Sequence, residues 1–274
     1  MFDLPLYLLI VSMVGAILAG LSCSTLGIFV VRLNIVSVGY CMSHAAFAGA
    51  AFGIMMGYDP LLFAILFSIG IAVLLGPLSD KAKLDSNVII GVTFSLMIAL
   101  AFIFLNFVPG VAATGAALSI LWGSLFTIDI NDILILFLIT FLVLLFLILF
   151  YKELSAILFN RKLAEASGIN TKLFLYTILF LTALTVSVSL KLIGGLLVFA
   201  LIVNPTSTAY QLFFDFKKIT VFSPLIGIAS CLSGYVVSLE SDFPLGASIV
   251  VVSSVIFAFS VIISPKRRKG RLLL

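Results

Sequence analysis

Long apolar runs separated by short polar breaks dominate the chain. Measured against the roughly 20 mostly apolar residues that a membrane-crossing helix needs, they fall at Leu4–Val31, Val36–Met56, Leu61–Leu78, Val88–Val108, Asp132–Tyr151, Lys172–Leu190, Ile193–Phe213, Ile219–Leu239 and Pro244–Ser264. The pattern predicts an all-α polytopic membrane protein of about nine transmembrane helices, a single domain over residues 1–274. Ile193–Phe213 is the weakest run; if it is re-entrant, the count falls to eight. Pro109, Gly110, Gly115 and Gly123 break the stretch between the fourth and fifth runs, which reads as an outer loop with a short helix near Trp122, an interfacial residue.

Polar positions inside these runs are the informative ones. Val36–Gly57 carries Ser43 and the only histidine, His44, near its midpoint. An ionisable side chain at that depth is costly and points to function, facing protein or water. The competing reading is packing, with His44 bonded to a carbonyl. Ala45, Gly49, Gly53 and Gly57 share one helix face and allow close approach of a neighbouring helix. In Lys191–Gln211, Gly194 and Gly195 open the run and Pro205, after Asn204, is expected to interrupt it. Carbonyls freed there, with Thr206, Ser207 and Thr208, either kink a packed helix or line a pathway.

Charge sets the orientation. With the N-terminus outside, Arg32, Lys81, Lys83, the group from Lys152 to Lys172, Lys217, Lys218 and the basic tail (265–274) lie inside, and only Lys191 is left outside. Asp3, Asp59, Asp129, Asp132, Glu240 and Asp242 then fall at the outer face, an arrangement that concentrates arriving cations or merely solvates the surface. The cytoplasmic stretch at about 155–170 holds a rough apolar stripe (Ala156, Ile157, Phe159, Leu163, Ala166) beside Arg161, Lys162 and Glu165, and Gly168 ends it. Such a helix lies on lipid or docks into a partner.

Composition agrees: 63% hydrophobic and 9% charged residues exclude a soluble globular domain. The net charge of +4 is accounted for by topology, so no nucleic-acid partner is expected. Cys23, Cys41 and Cys231 lie in apolar runs without metal-finger or disulfide spacing. The N-terminus lacks a basic n-region, so the first run is expected to stay as a span. No G-x-x-x-x-G-K-S/T phosphate loop occurs, and every carboxylate sits in a loop or within a turn of a span end, unlike the relays of proton-driven carriers. Energy would therefore come from a separate ATPase, and the cytoplasmic helix is the place for it to act. A proton-coupled carrier, or a non-transporting intramembrane enzyme or scaffold, are the alternatives. Ser43 and His44, adjacent on a helix, point about 100° apart and make a poor nucleophile and base.

Several motifs occur in a familiar order. Gly39–Gly53, GYCMSHAAFAGAAFG, resembles a G-D-x-x-S-H-x-x-x-x-G block, and Asp85–Gly91 a D-x-x-x-x-x-G span start. Leu121–Leu125 is similar to L-x-G-D/S-L, Ala164–Ile169 to A-x-x-x-G-I/V, Gly194–Ala209 to G-x-L-L-V-x-x-L-L-I-x-P-A-A-T-A, and Asp242–Gly246 to D-x-P-x-G. Together they resemble the membrane permease of ATP-binding-cassette importers for zinc, manganese or iron, over roughly Gly15 to Ser264. That resemblance implies an inner-membrane homodimer with two cytoplasmic ATPase subunits, which bind the ATP, and an extracytoplasmic metal-binding protein; the transported divalent ion is cargo, and this chain binds no cofactor. It also implies a coupling segment around Arg161, Lys162, Ala164, Glu165 and Gly168. The pathway residues it suggests are Tyr40, Cys41, Ser43, His44, Asn204 and Pro205, with His44 the metal ligand. Three positions depart from the pattern: Tyr40 where the family carries an acid four residues before the histidine, Asn204 with Thr206–Ser207 around the proline, and basic Arg161–Lys162 before the coupling segment. Asp and His at i and i+4 would share a helix face; here a phenol replaces the carboxylate, and Cys41, at i−3, offers a softer ligand.

Overall fold

The computed structural model describes residues 6–82, 86–108, 123, 129–195 and 198–266, the side chains at 76, 79–82 and 86 excepted. The expected helix near Trp122, the 121–125 motif apart from Gly123, Lys83, Asp85 and the tail beyond Lys266 lie outside the described residues. Those described form eleven helices and no strand: α1 Leu6–Arg32, α2 Ser37–Met56, α3 Pro60–Ala82, α4 Ser86–Asn106, α5 Ile130–Leu149, α6 Tyr151–Phe159, α7 Arg161–Ala166, α8 Thr171–Ile193, α9 Val198–Leu212, α10 Phe216–Ser241 and α11 Leu245–Ile263.

Seven of these are long and apolar enough to cross a membrane: α1, α2, α4, α5, α8, α10 and α11. Over the described residues this measure counts seven of the expected nine, with α3 entering as the shorter apolar helix Pro60–Leu75 and α9 as 15 residues. α8 does not stop at Leu190 as expected but continues to Ile193, and Gly194, at φ 98°, ends it. The helix described from Val198 runs through Pro205 without interruption.

Local chemistry sets the other boundaries. Asp129 and Asp132 form a capping box at the start of α5, Ile130 N–H donating to Asp129 Oδ1 (2.7 Å) and Asp129 N–H to Asp132 Oδ2 (2.8 Å). Asn170 caps α8 through Leu173 N–H, and Asp215 caps α10 through Lys217 N–H. The expected single amphipathic helix is two helices. Asn160, extended at φ −158°, ends α6 and accepts from Leu163 N–H (3.2 Å) to begin α7.

α2 is the most enclosed helix, with 78% of its span buried against 28% for α4, α5 and α11. It packs on α3, α4, α8 and α9, while α1 packs on α5, α8, α9 and α10. A methyl group at Gly49 would lie 2.1 Å from the Phe63 carbonyl oxygen, so α2 and α3 touch backbone to backbone. Hydroxyls tie the helices further: Ser68 donates to Met42 O and Ser187 to Ala64 O. At one end of the bundle Lys191 pairs with Asp132 at 2.6 Å, so the cation that breaks the charge pattern is neutralised in place.

Candidate functional site

The enclosure of α2 holds His44 inside the bundle, 4% exposed. Its Nδ1 lies 2.9 Å from the Tyr40 main-chain oxygen. A carbonyl can only accept, so in the neutral ring Nδ1 carries the proton and Nε2 keeps its lone pair. That tautomer is the one a metal-binding histidine with a carbonyl partner adopts. Packing and ligation, opposed in the sequence, are therefore compatible: one nitrogen anchors the ring and the other remains available.

One aromatic ring meets the imidazole, and two more extend the cluster. Phe94 of α4 meets it edge to face at 4.5 Å between centroids, Tyr40 stacks on Phe199 of α9 at 3.5 Å, and Phe94 also meets Tyr40 at 6.3 Å. Tyr40 is 44% exposed, so this cluster opens at the surface of the chain beside α4 and α9. Phe94 and Phe199 escaped the sequence reading. Phe199 lies within the Gly194–Ala209 block, but nothing marks Phe94 among 26 phenylalanines.

The remaining site residues lie elsewhere. Cys41 is buried in the apolar core. Ser43 donates to Gly39 O at 2.8 Å and not to His44, so the hydroxyl stays within its own helix turn. Asn204 donates to Ser253 and Ser254 of α11 at 3.1 and 3.0 Å. Pro205 is buried, and Thr206 donates into the α1 and α10 contact, to Ser24 O at 3.0 Å, with Ser223 at 2.8 Å. The polar run after the proline is thus spent on packing. The break that does approach the histidine is the α8–α9 junction: a methyl group at Gly195 would sit 3.6 Å from the Ser43 carbonyl oxygen. Irregular backbone among apolar helices is stable where protein buries it or a cavity faces it, and Gly194 and Gly195 are buried.

No group of three or more His, Cys, Asp or Glu side chains converges among the described residues. Among the described residues His44 therefore belongs to no set of three such ligands. Every described carboxylate stands in the first or last turn of a long helix or outside it.

The α6–α7 segment presents Arg161, Lys162, Leu163 and Glu165 outward, with Phe159 82% exposed, and buries Ala164 as α7 packs on α6 and α8. Glu165 accepts from the Thr171 hydroxyl and pairs with Arg161 Nε at 3.2 Å, contacts that hold its carboxyl below the usual range, the threonine contributing most. Gly168, at φ 85°, closes α7: its N–H reaches Glu165 O and Ile169 N–H reaches Ala164 O.

Comparison with known proteins agrees with this architecture. The manganese transport system membrane protein MntC of Listeria monocytogenes is 28% identical over 256 residues, covering 93% of this chain and 90% of the relative. The high-affinity zinc uptake system membrane protein ZnuB of Haemophilus influenzae is 24% identical over 250 residues, 91% and 95% of the two chains. A chain of the solved PsaBC–Fab complex of Streptococcus pneumoniae superposes with a TM-score of 0.84 at 25% identity, covering 96% of this chain and 94% of that one. Residues 6–264 match the ABC 3 transport family, and with nearly the whole chain inside that match it belongs to the family.

Proposed function

We propose that the chain is the membrane permease of an ATP-driven importer of divalent metal ions. Family membership and relatives named for manganese and zinc transport support this reading. A separate cytoplasmic ATPase supplies the energy, and an extracytoplasmic binding protein delivers the ion. Two copies form the pathway, which answers the incomplete ligand set around His44. α3 and α9 complete nine spans, with the N-terminus outside and the buried Gly194–Gly195 junction between α8 and α9. The α6–α7 corner, with exposed Phe159 and Leu163, is the ATPase contact.

The observation that carries the pathway assignment is the buried His44 with Nδ1 anchored and Nε2 available. Imidazole is a borderline ligand suited to Zn²⁺, and the tyrosine in place of a carboxylate removes the harder ligand that favours Mn²⁺. Uptake of radioactive Zn²⁺ and Mn²⁺ into vesicles holding permease, ATPase and binding protein tests it. His44→Ala should lower uptake at least about tenfold in a permease that still assembles, and Tyr40→Asp should retain uptake and shift preference toward Mn²⁺. Wild-type transport by His44→Ala would reduce the histidine to packing and leave the pathway to main-chain carbonyls near Asn204–Pro205.

A further inference from the structure

A cavity of about 420 Å³ opens where the end of α1 meets α6, the end of α9, the start of α10 and the residues after α11. Its polar side carries Arg32, Lys266, Ser155 and Tyr210, and its rim carries Phe159 and Phe214, 82% and 60% exposed. The walls are fixed. Tyr210 donates to Ile28 O at 3.2 Å, and Ser264 donates to Gln211 O at 2.9 Å, which pins the chain after α11 against α9. Lys266 Nζ donates to the Tyr210 main-chain oxygen and lies 5.1 Å over the Phe214 ring.

Among the described residues neither Arg32 nor Lys266 has a carboxylate within ion-pair distance. Asp215, the nearest acid in sequence, caps α10 and does not line the cavity. Burial, and then the charge of Arg32, hold the Lys266 ammonium below its ordinary pKa. Two cations thus face one cavity without a counter-charge. Arg32 ends α1, Tyr210 lies in the last turn of α9, and Lys266 follows the end of α11, so the cavity sits where the apolar helices stop, at headgroup depth.

We propose that this cavity binds the headgroup of an anionic phospholipid, its phosphate between Arg32 and Lys266 and its glycerol and first acyl carbons against Phe159 and Phe214. A phosphate ester supplies the missing negative charge, and guanidinium and ammonium are its usual protein partners. The exposed rings argue against a free anion, which would leave them in water. They match the amphipathic boundary between headgroups and chains, where aromatic side chains collect. Among the described residues Arg32 makes no ion pair, and Lys266 keeps two donors beyond the one spent on Tyr210.

Native mass spectrometry of the purified full chain, delipidated and re-exposed to phosphatidylglycerol or phosphatidylcholine, tests the site without any transport step. The wild type should retain about one phosphatidylglycerol per chain in preference to phosphatidylcholine. Arg32→Gln and Lys266→Gln should each weaken retention about fivefold and together about twentyfold. Exchanging the cations (Arg32→Lys with Lys266→Arg) should preserve it, which separates lost charge from lost folding. Lys152→Gln with Lys218→Gln, exposed cations outside the cavity, should change it less than about twofold. Unchanged retention in the double glutamine variant overturns the proposal. So does protection from heat by inorganic phosphate equal to that by the lipid, which would assign the cavity to a free anion. Loss of ATPase co-purification with lipid retention intact would overturn it in favour of a protein contact. Because lipid retention needs no metal, its failure leaves the permease reading standing, and failed transport leaves the lipid site standing.

Discussion

Gly168 and Glu165 show how two residues hold the α7 corner. Gly168 adopts φ 85° with nothing within 4 Å of where a methyl group would stand, so backbone conformation alone selects it. Gly168→Ala should cost about 1–2 kcal/mol of local stability and Gly168→Asn less, read as faster hydrogen exchange at Ile169. Glu165 has its carboxyl pKa lowered from the ordinary 4.5, first by the Thr171 hydroxyl. A depressed folded pKa contributes stability that is complete above the unfolded value and lost as pH falls through the folded one. Protection factors in residues 161–170, with the intrinsic pH dependence of exchange divided out, should therefore be flat from neutral pH to about 5 and fall below the ordinary carboxylate range; Glu165→Gln should abolish that acid-induced step. At this scale the histidine was legible because an ionisable group in an apolar run has few explanations. Its aromatic surroundings were not: Phe94 and Phe199 come from other helices, and phenylalanine is common in every span.

Helix identity was legible from apolar periodicity and length, whereas helix breaks were misjudged. Pro205 looked like the interruption, yet α9 runs through it, while Gly194, at positive φ, ends α8. A proline within a membrane helix costs one donor, which packing and neighbouring hydroxyls tolerate; paired glycines remove the side-chain packing that would hold the turn. Small residues spaced by four did foretell the α2–α3 contact, since only backbone approach explains them there. Gly49→Ala places a methyl 2.1 Å from the Phe63 carbonyl oxygen, which cannot swing aside as a side chain could. It should lower stability by about 1–3 kcal/mol in detergent thermal unfolding. Gly70→Ala on α3, where the methyl meets nothing within 4 Å, is the matched control and should be neutral within about 0.5 kcal/mol. If the two behave alike, the α2–α3 seam is looser than the structure has it, and the position of His44 with it.

At the scale of the whole molecule, charge and hydropathy decide the architecture, and the one ambiguity is whether α9 crosses. The pairing of Lys191 with Asp132 removes the main objection to the expected sidedness, because that cation is neutralised by an acid from the capping box of α5. The helix described there, Val198–Leu212, has 15 residues beside the roughly 20 that a span needs. The segments flanking the question are Lys152, exposed before α8, and Lys218, exposed at the start of α10. With α8 and α9 both crossing, the two positions share one side of the membrane; with α9 re-entrant they lie on opposite sides. Introduced singly as cysteines into a chain whose Cys23, Cys41 and Cys231 are replaced, both should react with an impermeant maleimide only in inside-out vesicles. Asp242→Cys, beyond α10, should react only in right-side-out vesicles. Lys152→Cys labelling from the Asp242 side, with Lys218→Cys still labelled only in inside-out vesicles, would reduce the chain to eight spans and move its N-terminus to the other face. It would also make the Gly194–Gly195 junction the tip of a re-entrant segment beside His44, in place of a bend within a crossing path.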